Sequence, residues 1–268
     1  MTEKIAFLGA GKMASAIVKG LIKKGCYKPG EIVCTCGEDP TGKELASATG
    51  IRFSQSLELF IQDIQVLVLA CKPQQLSDLN PALFESSKNM TVLSILAGTP
   101  ITRIKALFPN CKNIIRSMPN TPGQIGAGVT AYASEHPINS EVSELIESIL
   151  GALGSVYQVP ESQLDAVTAL SGSGPAYVFE FIAALSEAGV QAGIESSLAA
   201  KLASETVLGS ALLLKESDLS PEALRDAVTS PGGTTEAALN SLKSANFRAL
   251  IQEAITEAKA RSIDLAGS

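Results

Sequence analysis

Two hydrophobic periods divide this chain. Up to Pro160, short apolar runs alternate with amphipathic stretches. Lys4–Leu8, Glu31–Cys36, Val66–Ala70, Thr91–Leu96, Asn113–Ser117, Val129–Ser134 and Ser155–Val159 read as strands. Val66–Ala70 is uniformly apolar, as a strand covered on both faces should be. Met13, Ile17 and Leu21 stand at i, i+4 spacing on a helix that stops at Lys23-Lys24-Gly25, and Ile101–Leu107 and Glu141–Leu150 read as further helices. From Glu161 onward no strand pattern remains. Glu161–Leu170, Pro175–Gly193, Ser197–Lys215, Pro221–Thr229, Thr235–Leu242 and Phe247–Leu265 all read as helices. The expectation is an α/β domain over residues 1–160 and an all-α domain over 161–268, joined without a long linker. In the second of those helices Tyr177, Val178, Phe179, Phe181, Ile182, Ala184 and Leu185 cover most of the circumference, so it should be buried on nearly all sides. The few helices around it can hardly bury it alone. A second subunit with interlocked helical domains is therefore expected to close the core.

The ends of the strands carry the candidate chemistry. The first runs into Gly9-Ala10-Gly11-Lys12-Met13-Ala14, the Gly-x-Gly-x-x-Ala form of the dinucleotide fingerprint. Gly9 permits the tight turn, Gly11 lets backbone approach a pyrophosphate, and Ala14 lets helix and strand pack closely. This makes the α/β half a Rossmann domain, doubly wound on a mostly parallel sheet. The later strands end at Ala70-Cys71-Lys72-Pro73, at Ala97-Gly98-Thr99-Pro100 and at Met118-Pro119-Asn120-Thr121-Pro122-Gly123. In an open parallel sheet ligands bind beyond the carboxyl ends of the strands. Turn punctuation alone explains each Gly and Pro, but not why Lys72 and Asn120 fall at the same edge. After the second strand the chain reads Cys36-Gly37-Glu38-Asp39-Pro40-Thr41, with no Arg for a 2′-phosphate. Glu38 and Asp39 lean towards the unphosphorylated cofactor, yet Pro40 leaves their direction open, so both NADPH and NADH stand.

The helical half has two polar islands. Ser171-Gly172-Ser173-Gly174 precedes Pro175, which suits the first turn of a helix, and so presents hydroxyls and free amides at a positive helix end. Thr229–Glu236 holds Gly232 and Gly233, which allow a sharp turn, and Thr234 or Thr235 as a helix cap. Ordinary caps would account for either island. Together they form a plausible pair of jaws for a small carboxylate.

Composition trims the alternatives. A formal charge of -6, no Lys/Arg stripe and no Trp argue against a nucleic-acid partner. No apolar run is expected to reach the roughly 20 residues of a membrane span, and the N-terminus reads as a strand rather than a signal peptide. The five cysteines, Cys26, Cys34, Cys36, Cys71 and Cys111, and the single His136 lack the spacing of a zinc site, so no metal is expected. Reduced thiols in a cytoplasmic protein are the simpler reading.

With the fingerprint and both islands in view, the chain resembles the pyrroline-5-carboxylate reductases, which catalyse the last step of proline biosynthesis. The resemblance rests on Gly9–Ala14, Ala70–Pro73, Arg116–Pro122, Leu164–Tyr177 and Ser230–Thr235. It implies hydride transfer from NADPH or NADH to the C=N bond of 1-pyrroline-5-carboxylate, an all-helical dimerisation domain, and homodimers that often assemble as a decamer of five dimers. Carried over by residue, Gly9, Ala10, Gly11, Lys12 and Met13 hold the pyrophosphate. Ala70, Cys71, Lys72 and Pro73, with Ala97 and Asn120, line the nicotinamide side. Ser173, Gly232, Gly233 and Thr234 meet the substrate carboxylate, Thr235 bonds the ring nitrogen as the catalytic residue, and Glu161 stands near the substrate. The chain departs from the family at Cys36-Gly37, where Ser, Asn or Arg is frequent, and at Ala227, where some members carry Asn.

Two rival readings remain. Another two-domain reductase, acting on a β-hydroxy acid or a different imine, usually carries a catalytic Lys on the first long helix of its second domain, and Glu161–Gly193 has none. A non-catalytic dinucleotide-binding regulator would have no use for the hydroxyl-rich block Ser230–Thr235.

Overall fold

The computed structural model describes residues 4–56, 64–79 and 89–267. These form two compact units, Met1–Ser173 with Ala258–Ser268, and Gly174–Glu257. The pattern breaks at Pro160, but by packing the segments on either side of the helical half, 161–173 and 258–268, go with the sheet.

In the first unit the described residues form an eight-stranded sheet. Its strands are β1 (Ile5–Leu8), β2 (Ile32–Thr35), β3 (Arg52–Phe53), β4 (Val66–Leu69), β5 (Thr91–Ser94), β6 (Asn113–Pro119), β7 (Gly128–Ser134) and β8 (Gly154–Gln158). The spatial order is β3-β2-β1-β4-β5-β6-β7-β8, and every pair is parallel except β6 with β7. β1 lies between β2 and β4, with Leu8 opposite both Thr35 and Leu69. Three strand ends therefore meet at one point of the rim. The strand order reverses at β1, which is where such sheets take ligands. β3 is missing from the sequence expectation, because two residues, one of them Arg52, make no pattern.

Helices cover both faces. α1 (Lys12–Lys23) buries Ala14, Ile17, Val18 and Leu21 against one face, where they join Phe7, Tyr132 and Ile146. α2 (Thr41–Thr49) is another element absent from the expectation, because Leu45 is its one large apolar residue. α3 (Ile101–Leu107) falls where the pattern placed it and joins the opposite core with Leu67, Val92 and Phe108. α4 (Ser140–Leu150) starts at Asn139, whose side chain accepts from the Val142 amide and so satisfies one orphan donor.

The chain then enters α5 (Leu164–Val167) and a π turn over Thr168–Gly172. Pro175 lies, as expected, in the first turn of the helix Gly174–Gln191, but the expected bare amide at Ser173 is corrected. Ser173 is in the right-handed helical region, and its amide already donates to the Thr168 carbonyl at 2.8 Å. The reason is Pro175. Inside a helical stretch it offers no N–H to the Ser171 carbonyl four residues back, and its ring crowds that carbonyl. Widening to a π turn relieves the crowding. The freed Ser171 oxygen takes the Asn120 amide instead, at 3.3 Å.

The second unit holds α6 (Gly174–Gln191), α7 (Ser196–Glu216), α8 (Pro221–Ala227), α9 (Thr234–Ser244) and the first part of α10 (Phe247–Gly267). α6 packs on α7, with Gly189 against Ala199. Within one chain α6 buries no residue at all: Phe179 stays 64% and Phe181 46% exposed. α7 also revises an expectation. By length and composition it is apolar enough to cross a bilayer, although it carries Lys201, Glu205 and Lys215.

Candidate cofactor and substrate site

The rim at β1 is shaped by the absence of side chains. Gly9 has φ +106°, and a Cβ there would collide with the Ala70 carbonyl at the end of β4. Only glycine lets the two strand ends close up. Gly11, two residues on, has open space around it. It is the N-cap of α1 and no side chain caps that helix, so the first amides of α1 are left for a ligand. These features fit a dinucleotide pyrophosphate, which needs a close backbone approach and a bare helix start.

Next to this loop lies a cavity of about 620 Å³ lined by Leu8, Gly9, Ala10, Gly11, Thr35, Cys36, Gly37, Asp39, Thr41, Ala70, Cys71 and Lys72, with Gln75, Asp78 and Leu79 at its edge. Most of the residues assigned to the cofactor from sequence thus meet in one place. Lys12 lies in a smaller adjoining cavity with Ser15 and Lys19. Met13 is half-buried against the core. Pro73 opens the short 3₁₀ turn Pro73–Asp78 that carries Gln75, whose side chain accepts from the Lys72 amide at 2.9 Å. Asp39 enters the cavity and Glu38 does not. The Thr41 hydroxyl and amide both donate to one Asp39 oxygen, and these bonds hold its carboxyl below the usual range, with Lys72 nearby adding to the effect. Burial pushes the Cys71 thiol up to about 11, so it is neutral at physiological pH. All five cysteines are free thiols.

Ala97 is on the exposed turn after β5, outside this cavity. Beside it Gly98 adopts φ +65°, with Leu265 of α10 packed against it. Asn120 is committed at both ends of its amide. Its Oδ1 accepts from the Val129 amide at 2.8 Å, and its Nδ2 donates to the carbonyl and hydroxyl of Ser171. It therefore holds β7 and the π turn in place, whatever else it meets.

Glu161 is similarly engaged. Its Oε1 accepts from the Ile101 amide at 2.8 Å, capping α3, and from Arg116 at 3.3 Å. Arg116 is buried on β6 and also pairs with Asp165 at 3.2 Å, which in turn accepts from Ser262 of α10 at 2.9 Å. The sequence reading missed this network, although an Arg inside the strand Asn113–Ser117, right after Ile114 and Ile115, was the signal for it.

In the second unit Gly233, rather than Thr234 or Thr235, is the N-cap of α9, and no side chain bonds there. Gly232, at φ +73°, gives its amide to Glu236 at 2.7 Å, and Gly233 gives its own to the Ser230 carbonyl at 3.0 Å. Both of these amides are spent on the turn. Among the described residues the amides of Thr234, Thr235 and Glu236 take no acceptor, so the anion-binding capacity lies one step further along than the sequence suggested. The Thr235 side chain is half-buried and that of Thr234 exposed.

Residues 161–265 match the family model described as pyrroline-5-carboxylate reductase dimerisation, and residues 4–98 match NADP oxidoreductase coenzyme F420-dependent. The pyrroline-5-carboxylate reductase of Synechocystis sp. is 41% identical, with 99% of each chain covered. Among solved structures, the pyrroline-5-carboxylate reductase of Coxiella burnetii superposes with a TM-score of 0.91 at 37% identity, covering 99% of both chains. The Plasmodium falciparum pyrroline carboxylate reductase, solved with NADP bound, gives 0.86 at 28% identity over 98% of each. A full-length relative this similar decides the assignment: the chain belongs to the pyrroline-5-carboxylate reductase family.

Proposed function

We propose that this chain reduces the C=N bond of 1-pyrroline-5-carboxylate to L-proline, the last step of proline biosynthesis, with NAD(P)H as the cofactor. The observation that carries the reading is the uncapped start of α9, where adjacent free amides sit beside a half-buried hydroxyl. A small cyclic acid with a ring nitrogen needs that combination. When bound, NAD(P)H supplies a hydride to the imine carbon. Gly9, Ala10, Gly11, Lys12 and Met13 hold its pyrophosphate, and Ala70, Cys71, Lys72 and Pro73 flank its nicotinamide end, with Ala97 and Asn120 further along the same edge.

The amides of Thr234 and Thr235 take the substrate carboxylate, and Gly232 and Gly233 shape the turn that bares them. The Ser173 hydroxyl is a further donor. The Thr235 hydroxyl orients the ring nitrogen, which keeps the imine carbon exposed to attack. A protonated imine is already a strong electrophile, so positioning the reacting carbons at roughly 3–3.5 Å does most of the catalytic work. Glu161 acts by holding α3 and Arg116 beside the sheet's edge.

The apolar faces of α6 and α7 support a homodimer built through the helical unit, and assembly into a decamer of five dimers belongs to the same proposal. Light scattering reads both. A cytoplasmic location is the matching expectation, supported by the free thiols. The direct test is loss of reduced-nicotinamide absorbance on adding 1-pyrroline-5-carboxylate, with proline identified as product. No absorbance loss with either cofactor would overturn the reading.

A further inference from the structure

The cavity beyond β1 and β2 bears on a question the fingerprint leaves open, which is the choice between two nicotinamide cofactors that differ only by a phosphate on the adenosine ribose. In sheets of this kind that ribose lies at the end of the second strand, where a carboxylate accepts from the 2′-hydroxyl or an Arg neutralises the 2′-phosphate. Here β2 ends at Thr35, followed by Cys36 and Gly37, and neither of those two side chains carries charge. The charged group at that end of the cavity is Asp39. The Asx-type turn to Thr41 brings it back, because the Thr41 amide and hydroxyl both bind the same carboxylate oxygen. Pro40 stiffens the turn between them.

Among the described residues, the charges lining the cavity are the carboxylates of Asp39 and Asp78 and the ammonium of Lys72. Negative charge is in excess, and no Arg is among them. Lys12 and Lys19 face the adjoining cavity on the α1 side.

We propose that Asp39 is the residue that sets cofactor preference in this chain, accepting from the ribose 2′-hydroxyl of NADH and repelling the 2′-phosphate of NADPH. The inference rests on the cofactor site described under the proposed function. A carboxylate facing a phosphate across a partly solvated cavity gives a discrimination of roughly 10- to 100-fold. Added salt should narrow that ratio, because the repulsion is screened over the Debye length.

Isothermal titration of the full-length protein with NADH, NADPH, 5′-AMP and adenosine 2′,5′-bisphosphate tests this without turnover. The expected result is tighter binding of NADH than NADPH, and of 5′-AMP than the bisphosphate. Asp39→Asn keeps an acceptor for Thr41 while removing the charge. It should tighten the 2′-phosphorylated ligands by about tenfold and change the others by less than about threefold. Asp39→Ser, which also removes the longer side chain, should move the ratio in the same direction, and a melting curve confirms that each variant is folded. NADPH binding as tightly as NADH, or a ratio unmoved in both folded variants, overturns the role of Asp39 and leaves the reductase reading intact. Failure of all four ligands to bind overturns both.

Discussion

The two units of this molecule are finished to different degrees. In the sheet unit Phe7, Phe108 and Tyr132 are fully enclosed, and a buried Arg has two carboxylates to pair with. In the helical unit α6 has a more apolar composition than α1, α2 or α4 of the sheet unit, yet none of its residues is buried. Val178, Phe181 and Leu185, at i, i+3 and i+7, form one open stripe, and Leu208 and Leu212 on α7 another. Fully burying a Phe or Leu side chain is worth about 1.5–3 kcal/mol, so leaving such stripes half in water forfeits several kcal/mol, comparable with the margin by which a domain is stable. One unit closes its core from its own sequence. The other leaves apolar faces open within one chain, as suits the dimerisation domain that it matches.

The sharpest way to break this contrast is to charge the open stripe. Phe181→Asp combined with Leu212→Asp should weaken self-association by about 10⁴-fold, since two carboxylates would be buried without partners. Sedimentation equilibrium checks it, and an unchanged dimer would mean that these faces are not what the subunits share. The reciprocal change in the sheet unit is Arg116→Leu. It strands Glu161 and Asp165, and we expect a loss of about 3–5 kcal/mol in urea unfolding. Replacing the whole set with Arg116→Leu, Glu161→Gln and Asp165→Asn should recover part of that loss, because uncompensated charge is the main cost.

A smaller effect separates function from assembly. Thr235→Ala should lower kcat by roughly 10- to 1000-fold with the dimer intact, comparable to removing one polar catalytic contact. Wild-type turnover in that variant would remove Thr235 from the mechanism.

The smallest effect is on pH. Burial raises Cys34, Cys71 and Cys111 to about 11 from 9.0, and burial, with Glu31 and Cys26 close by, raises Tyr27 to about 12 from 10.0. Below the unfolded pKa these groups are neutral in both states and cost nothing. As pH climbs past 9 the unfolded chain ionises first, so stability drains away through the folded values. The expected fall is about 1 kcal/mol per group after allowing for solvent screening. A pH series of melting temperatures should show it, and Cys34→Ala should flatten the curve. These four groups belong to the sheet unit, so the alkaline loss should track its unfolding.

How much could be seen beforehand follows the same line. Strands such as β4 and helices such as α1 declare themselves because each has a face wholly given to a core. The fingerprint could be read because Gly9, Gly11 and Ala14 each answer a steric demand made by neighbouring backbone. α2 and β3 could not, since Leu45 is the one large apolar residue of α2 and the Ile51, Phe53 alternation is too short to read as a strand. The π turn was hidden for a different reason. Pro175 is a first-turn residue of α6, as its local sequence suggests, but the helical turns just before it are not, and Asn120, which takes the Ser171 carbonyl, is distant in sequence. Glu236 stands only four residues from Gly232, yet no periodic pattern says that it claims that amide. Periodicity reveals which faces are buried. It is silent on which polar groups have already been claimed.

The late part of α10 carries a practical consequence. Residues from Ala258 onward pack with the sheet, placing Ser262 on Asp165 and Leu265 against Gly98. The polypeptide thus leaves the nucleotide-binding half, builds the helical one, and comes home to brace where it began. A truncation or fusion engineered at this tail would be felt first at Asp165 and at the Gly98 turn, far away in the sequence.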